Sequence, residues 1–247
     1  MVDLHAHILP GIDDGSLSLE ESLKMCSMAY QDGIRTIVAT PHIGKFPNTK
    51  EIITQKTEEL KEELKAQKIE IDLLSGADYE FTPEIFTLLE SKSLLTINQS
   101  RYLLLDTPYS LLPPNIEKLI GGLVLKGIIP IVTHPERCLE LQGDLGILYN
   151  LIKAGALIQV TASSIIGKMG PKAKESVDLI LKHKLAYIIA TDTHGINKRP
   201  PLLSEALEIA SGIIGKEMAL AMVTTIPQAI IEDREVVIPK PLPLNKA

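Results

Sequence analysis

Cysteine is scarce in this sequence: Cys26 and Cys138 are the only two. Two thiols are too few for a disulfide framework. Arginine is scarce as well, with five among the 25 basic residues. Acidic residues number 31, and the formal net charge is −6. That balance argues against a nucleic-acid-binding surface as the main function. No apolar run approaches the length of a membrane span. The amino terminus lacks a basic segment followed by an apolar one, so nothing marks it for secretion, and the chain reads as cytoplasmic. Repeats, low-complexity segments and linkers are also missing. With 247 residues, 45% of them hydrophobic, the expectation is one barrel-sized unit over 1–247.

Short apolar runs alternate with helical patterns. Strands are expected at 2–4, 36–40, 69–77, 102–105, 128–133, 156–160 and 186–191. Ser18-Leu19-Glu20-Glu21 has the pattern of a capping box opening a helix to Asp32, stopped by Gly33. Further helices are expected at 50–67, 115–126, 144–153 and 172–184. A short one starts at Thr82-Pro83-Glu84 and a last pair follows Arg199-Pro200-Pro201. The tail from Pro239 is too proline-rich to be regular. Seven βα units imply a parallel α/β sheet, at this length a closed or nearly closed barrel.

In such barrels the functional site lies at the carboxyl ends of the strands. Six of the seven expected strand ends carry potential metal ligands: His5 and His7, His42, Asp78, Asp106, His134, then Asp192 and His194. The sixth, ending Gln159-Val160-Thr161, carries none. On a strand His5 and His7 share a face, and paired imidazoles suit a divalent metal. Of the six histidines only His183, in a helix between two lysines, falls outside this set. The mixed His and Asp donors favour manganese, iron or zinc over magnesium.

Five strings occur in order: Asp3-x-His5-x-His7, Asp13-Asp14-Gly15, Thr40-Pro41-His42, His134-Pro135-Glu136-Arg137 and Asp192-x-His194. Together they resemble the polymerase-and-histidinol-phosphatase (PHP) domain. His7 to Gly15 is similar to the manganese-dependent protein tyrosine phosphatases of bacterial capsule and exopolysaccharide clusters. The resemblance implies a distorted seven-stranded (β/α)7 barrel with three divalent ions, Mn2+ foremost and Fe or Zn as alternatives. It implies one ion on His5, His7, Asp78 and Asp192, a second on Asp78, Asp106 and His134, and a third on Asp14, His42 and His194. Asp3 is expected behind these ligands, orienting a histidine. The implied substrate is phosphotyrosine on the tail of a partner cytoplasmic tyrosine kinase. Three positions depart from the family pattern. Asp78 and Asp106 stand where it usually has glutamate, and Ile226-Pro227 where it often has Asn-Pro. Glu80 is a possible compensating ligand.

Phosphate-ester hydrolysis needs a strong nucleophile and charge neutralisation on the moving phosphoryl group. A metal cluster supplies both, with a metal-bound hydroxide attacking phosphorus. Arg137 and Arg199 follow ligands closely, and their planar forks match phosphate oxygens. The expected catalytic set is Arg137, Arg199, His42 and Asp192, with Lys45 and Lys198 adding local attraction. The connections over the site, 8–17, 43–49 and 107–114, are too short for a lid, which suits a peptide substrate. Two alternatives remain. One is a small-molecule phosphatase, such as one acting on histidinol phosphate, with Glu80 or Glu136 facing the substrate amine. The other is a non-catalytic metal-binding scaffold.

A cysteine nucleophile would need a low-pKa thiolate in a phosphate-cradling loop with an arginine a few residues on. Cys138 is followed by Leu139-Glu140-Leu141-Gln142-Gly143-Asp144, and Cys26 lies in an expected helix. Serine at both positions is expected to leave kcat nearly unchanged, whereas His134→Ala or Asp192→Ala should lower it by several orders of magnitude. A folded but inactive double-serine variant would reverse the assignment.

Overall fold

The computed structural model describes residues 1–237; the expectation for the tail from Pro239 falls outside them. Nine strands form among the described residues: β1 Val2–Ala6, β2 Thr36–Ala39, β3 His42–Ile43, β4 Asp72–Ser75, β5 Asp78–Glu80, β6 Tyr102–Asp106, β7 Ile129–Thr133, β8 Leu157–Thr161 and β9 Ile188–Ala190. Every pairing between them is parallel. All seven expected strand positions are present, and the second and third are each followed, beyond the expected bounds, by a further short strand, β3 and β5.

The interruptions have local causes. Pro41 has no N–H to donate to a ladder and separates β2 from β3. Gly76 lies between β4 and β5, where a Cβ would sit 2.9 Å from Val38 Cγ1. The segments before the interruptions pair with β1 in the order β1-β2-β4, and those after them join β3-β5-β6-β7-β8-β9. The expected parallel α/β arrangement is present, and among the described strands the pairings fall into two parallel sheets rather than one closed seven-stranded ladder. The same two segments pair on both sides of each interruption, β2 with β4 and β3 with β5. β1 and β9 still meet, through a single bridge between Ala6 and Thr193. Asp192 N donates to His5 O (2.9 Å) and His7 N to Thr193 O (3.1 Å).

Alternation along the strands sorts the core. Tyr102, Leu104, Ile131, Leu157 and Ile188 share one buried cluster with Val2, Leu4 and Val38. Leu103, Leu105, Val132, Ile158, Val160 and Ile189 pack in a larger cluster with residues of the surrounding helices. On β6 the inward side reads Tyr102, Leu104, Asp106, so an apolar interior is topped by a carboxylate. In β1 the register with β2 shifts between Asp3 and Ala6. Leu4 and His5 are both fully buried there.

Helices follow the expected positions closely. Ser18 caps Leu19–Gln31, its Oγ accepting from Glu21 N at 3.2 Å. Others run Lys50–Ala66, Ile116–Leu125, Leu145–Lys153 and Pro171–Lys182. Pro83 rather than Thr82 holds the cap position of Glu84–Glu90. The expected last pair is three helices, Ser204–Ile214, Lys216–Ala221 and Thr225–Ile231, because Gly215 at φ 86° breaks the first from the second. Among the described residues no helix is long and apolar enough to cross a membrane.

The loop after β1 folds tightly under His7. Gly11 N donates to Ser16 O (2.8 Å) and Ser16 N to His7 O (3.1 Å). Gly15 lies so close that a Cβ would meet His7 O at 2.2 Å. Backbone cannot yield as a flexible side chain does, so Gly15→Ala should cost about 1–3 kcal/mol, the range for overpacking. Gly212→Ala, in a helix with nothing within 4 Å, should stabilise by about 0.5–1 kcal/mol. Urea midpoints compare the two; equal midpoints would show that the loop accommodates the methyl group.

Candidate metal centre

The strand ends bring all nine expected ligands to one place. His5, His7, His42, Asp78, Asp106, His134, Asp192 and His194 are buried there, and Asp14 has a half-exposed side chain, 56%. Four groups have donor atoms within 4.8 Å of one another. They are His7, Asp14, His42 and His194; His5, His134 and Asp192; His5, His7 and Asp78; and His42, Asp78 and Asp106. These groups share members with those implied by the resemblance. Asp14, His42 and His194 stay together with His7 added, while Asp78 and Asp106 gather with His42. His134 Nε2 lies 3.2 Å from Asp106 Oδ1.

Two of these residues have left-handed backbones, His134 at φ 37° and Asp192 at φ 49°. Such conformations are costly for side chains larger than glycine and persist where the surroundings hold them. Here they turn the chain at the ends of β7 and β9. Asp192 receives both arginines: Arg137 Nη1 donates to Oδ2 at 2.7 Å, and Arg199 Nη1 bonds the same oxygen. Arg137 comes from a 3-10 turn, Pro135–Arg137.

Protonation follows burial and charge. Burial opposes the charge on His7, but Asp13 and Asp192 outweigh it and lift its pKa to about 10. Burial and the charge on His7 push His42 down to about 3. Burial and Arg137 push His134 down to about 4. Asp78 is raised to about 6 by burial and by the neighbouring Asp106 carboxylate. Asp106 is lowered despite its burial, by His134 and Lys45. Neutral imidazoles and ionised carboxylates are the forms that bind metal.

Several partners had no signal in the ligand pattern. His5 Nδ1 pairs with Gln159 Oε1 at 2.8 Å, so the sixth strand, which offers no ligand, holds one in orientation. Asp13, beside the expected ligand Asp14, bonds His7 Nδ1 at 2.7 Å and caps Gly15 N at 2.9 Å. Asp3 does not orient a histidine ring. Its carboxylate accepts from Thr191 N (3.0 Å) and Thr191 Oγ1 (2.5 Å), tying β1 to the end of β9. Glu136 is fully buried with Oε1 on Thr161 N (3.0 Å), so it cannot face a substrate amine. Glu80 belongs to none of the four donor groups and packs against Gly44. His183, at the end of Pro171–Lys182, lies outside the site.

Above the ligands opens a cleft of ≈ 660 Å³. Its lining includes five cationic side chains, Lys45, Arg137, Lys168, Lys198 and Arg199, together with Tyr109 and Met169. Lys45 bonds Asp106. Lys168, Met169 and Tyr109 were not singled out from the sequence, since nothing near them repeats a ligand motif.

The family described as "Capsular polysaccharide synthesis, CpsB/CapC" matches residues 1–232. The chain belongs to it. Tyrosine-protein phosphatase YwqE of Bacillus subtilis (strain 168) is 31% identical over 248 residues, covering 100% of this chain and 97% of that protein. Tyrosine-protein phosphatase CpsB of Streptococcus pneumoniae is 28% identical over 241 residues, covering 95% and 99%. A solved structure described under YwqE from B. subtilis and CpsB from S. pneumoniae, "unique metal-dependent tyrosine phosphatases", superposes with a TM-score of 0.95 at 31% identity. It covers 100% of both chains. The phosphotriesterase homology protein of Escherichia coli, covering 93% of this chain and 98% of its own, has a TM-score of 0.58 at 12% identity. That likeness concerns the fold alone.

Gln159→Leu keeps the volume of the side chain and removes the acceptor at His5 Nδ1. Loss of such an orienting partner typically costs 10–100-fold in metal affinity. A chelator competition with manganese should show a drop of about that size while far-UV circular dichroism stays the same. Unchanged affinity would reduce Gln159 to packing.

Proposed function

We propose that this chain is a metal-dependent protein tyrosine phosphatase. It acts on the phosphotyrosine-bearing tail of a tyrosine kinase of capsule or exopolysaccharide synthesis, in the cytoplasm, as one catalytic unit over 1–247. The observation that carries the metal part is the pair His5 and His7. Each Nδ1 faces an acceptor, Gln159 Oε1 or Asp13 Oδ2. With the ring proton placed on that side, two Nε2 lone pairs confront each other at 3.1 Å. Such an arrangement is unfavourable unless a proton or a cation lies between.

The other donors agree. His and Asp atoms stand 3.2–3.7 Å apart. A tetrahedron of roughly 2.1 Å bonds has edges of about 3.4 Å. His42 Nδ1, His134 Nδ1 and both oxygens of Asp78 are buried without a hydrogen-bond partner, which is costly unless something binds them. The residues thus fit divalent ions, with His5, His7, Asp14, His42, Asp78, Asp106, His134, Asp192 and His194 as holders. Three ions, manganese foremost, is the reading supported by the resemblance to capsule-cluster phosphatases. Divalent ions there supply a water of lowered pKa and positive charge for the phosphoryl oxygens.

The remaining roles belong to the chain itself. Asp192 reaches the histidines through Oδ1 and both arginines through Oδ2. It couples the donor cluster to the guanidinium pair. Arg137 and Arg199 are nearly buried, with side-chain exposures of 10% and 14%. Their donors not used on Asp192 meet a phosphate whose transition-state charge they stabilise. His42, neutral and beside Asp14 and Asp78, faces the same cleft. The burial of Glu136 against Thr161 removes one acid that could have met a substrate amine, which favours a peptide over an amine-bearing small molecule.

Removing metal with a chelator should abolish phosphate release, and manganese should restore it better than magnesium. On one manganese-loaded sample, kcat/KM for a phosphotyrosine peptide should exceed that for histidinol phosphate or a phosphoserine peptide by at least about tenfold, a difference of ~1.4 kcal/mol. Full activity after verified metal loss would overturn the metal centre, and a preference for histidinol phosphate would move the chain to small-molecule chemistry.

A further inference from the structure

Ligands and arginines act on the phosphoryl group, which every phosphate monoester carries. Selection between an aryl and an aliphatic ester must come from groups that meet the rest of the substrate. Of the described residues lining the cleft, Tyr109 alone carries a benzene ring. Its setting is unusual for this chain. Tyr79, Tyr102 and Tyr187 are buried, whereas Tyr109 is 69% exposed. A large ring left in water at the mouth of a polar cleft costs free energy that burial against a partner would recover.

The ring stands on a fixed platform. Tyr109 O accepts from Leu139 N at 3.0 Å and Ser110 O from Glu140 N at 3.1 Å. Leu112 N donates to Glu140 Oε2 at 2.7 Å. Pro108 precedes the residue, and Pro113-Pro114 closes the segment. A loop held by two backbone–backbone hydrogen bonds and one to a side chain, and flanked by prolines, loses little entropy when a ligand packs on it. The exposed side chains of Leu111 and Leu139 lie on the same pinned loop and on the helix it bonds. On the other side, Tyr109 lines the same cleft as Arg137 and Arg199. A phosphate held by those arginines would place its ester group toward Tyr109.

We propose that Tyr109 is the specificity-determining residue of this site: its ring forms the wall against which the ring of phosphotyrosine packs. The proposal rests on the phosphatase reading above. Ring packing is made equally in the bound substrate and in the transition state, so it acts on KM and leaves kcat nearly unaltered. It adds nothing for a serine phosphate, which has no ring to present.

The test compares wild type, Tyr109→Ala and Tyr109→Phe, all manganese-loaded. Substrates are a phosphotyrosine peptide and the same peptide with phosphoserine. Tyr109→Ala should lower kcat/KM for the phosphotyrosine peptide about tenfold, the scale of an aromatic pair. The loss should appear in KM. The phosphoserine peptide should change by less than about twofold, and Tyr109→Phe should behave as wild type. Calorimetry gives a second readout. A peptide bearing a non-hydrolysable phosphonomethyl-phenylalanine should bind the alanine variant about tenfold more weakly, with inorganic phosphate binding unchanged. The proposal is overturned if alanine leaves the aryl preference intact, if phenylalanine is as poor as alanine, or if inorganic phosphate weakens too. A wild type with no preference for phosphotyrosine refutes the tyrosine-specific part of the phosphatase reading instead, and that result is read before any variant is made.

Discussion

Crowding of like donors in a dry place is the constraint on which this structure turns. Five imidazoles and four carboxylates converge at the strand ends, eight of the nine buried. Asp78 sits beside Asp106, and that neighbour together with burial lifts its pKa to about 6. His5 and His7 confront each other at 3.1 Å. In a low-dielectric interior such groups destabilise the fold unless cations compensate them. The architecture around the cluster serves to hold it. Gly15 allows the loop to press against His7, and Asp3 ties β1 to Thr191. The left-handed turns at His134 and Asp192 carry the chain over the top of the sheet.

Charge is distributed unevenly to match. The chain as a whole carries −6, which offers no long-range attraction to a phosphorylated peptide. The cleft gathers Lys45, Arg137, Lys168, Lys198 and Arg199, so attraction is confined to the mouth of the site. Screening over about 8–10 Å at physiological salt keeps the two regions electrically separate. Asp192 joins them: one oxygen belongs to the histidines and the other to the arginines. A phosphate that engages the guanidiniums would therefore also perturb the ligand cluster.

Much of the site was legible because a parallel α/β arrangement sends every strand end to one face. His42, Asp78, Asp106, His134, Asp192 and His194 could be placed from where the apolar runs end in an alternating βα pattern. The break in the sheets was not legible. Pro41 and Gly76 were visible, but that the pairing would lapse there and resume between the same two segments, β3 with β5, depends on the neighbouring strands. Gln159 was overlooked because an amide is no metal ligand, and Asp13 because Asp14 fitted the ligand role. Glu136 looked available to substrate until its burial against Thr161 appeared.

The sequence by itself determined the elements and the chemistry: alternating apolar runs, capped helices, and donor residues at the strand ends. These follow from local rules of spacing and capping that operate within a few residues. Only the tertiary structure decided which donors share a neighbourhood, which carboxylate orients which imidazole, and which tyrosine faces the cleft. Those relations join residues as distant as Asp3 and Thr191 or His5 and Gln159. They depend on three-dimensional packing, where a shift of an ångström separates a ligand from a bystander.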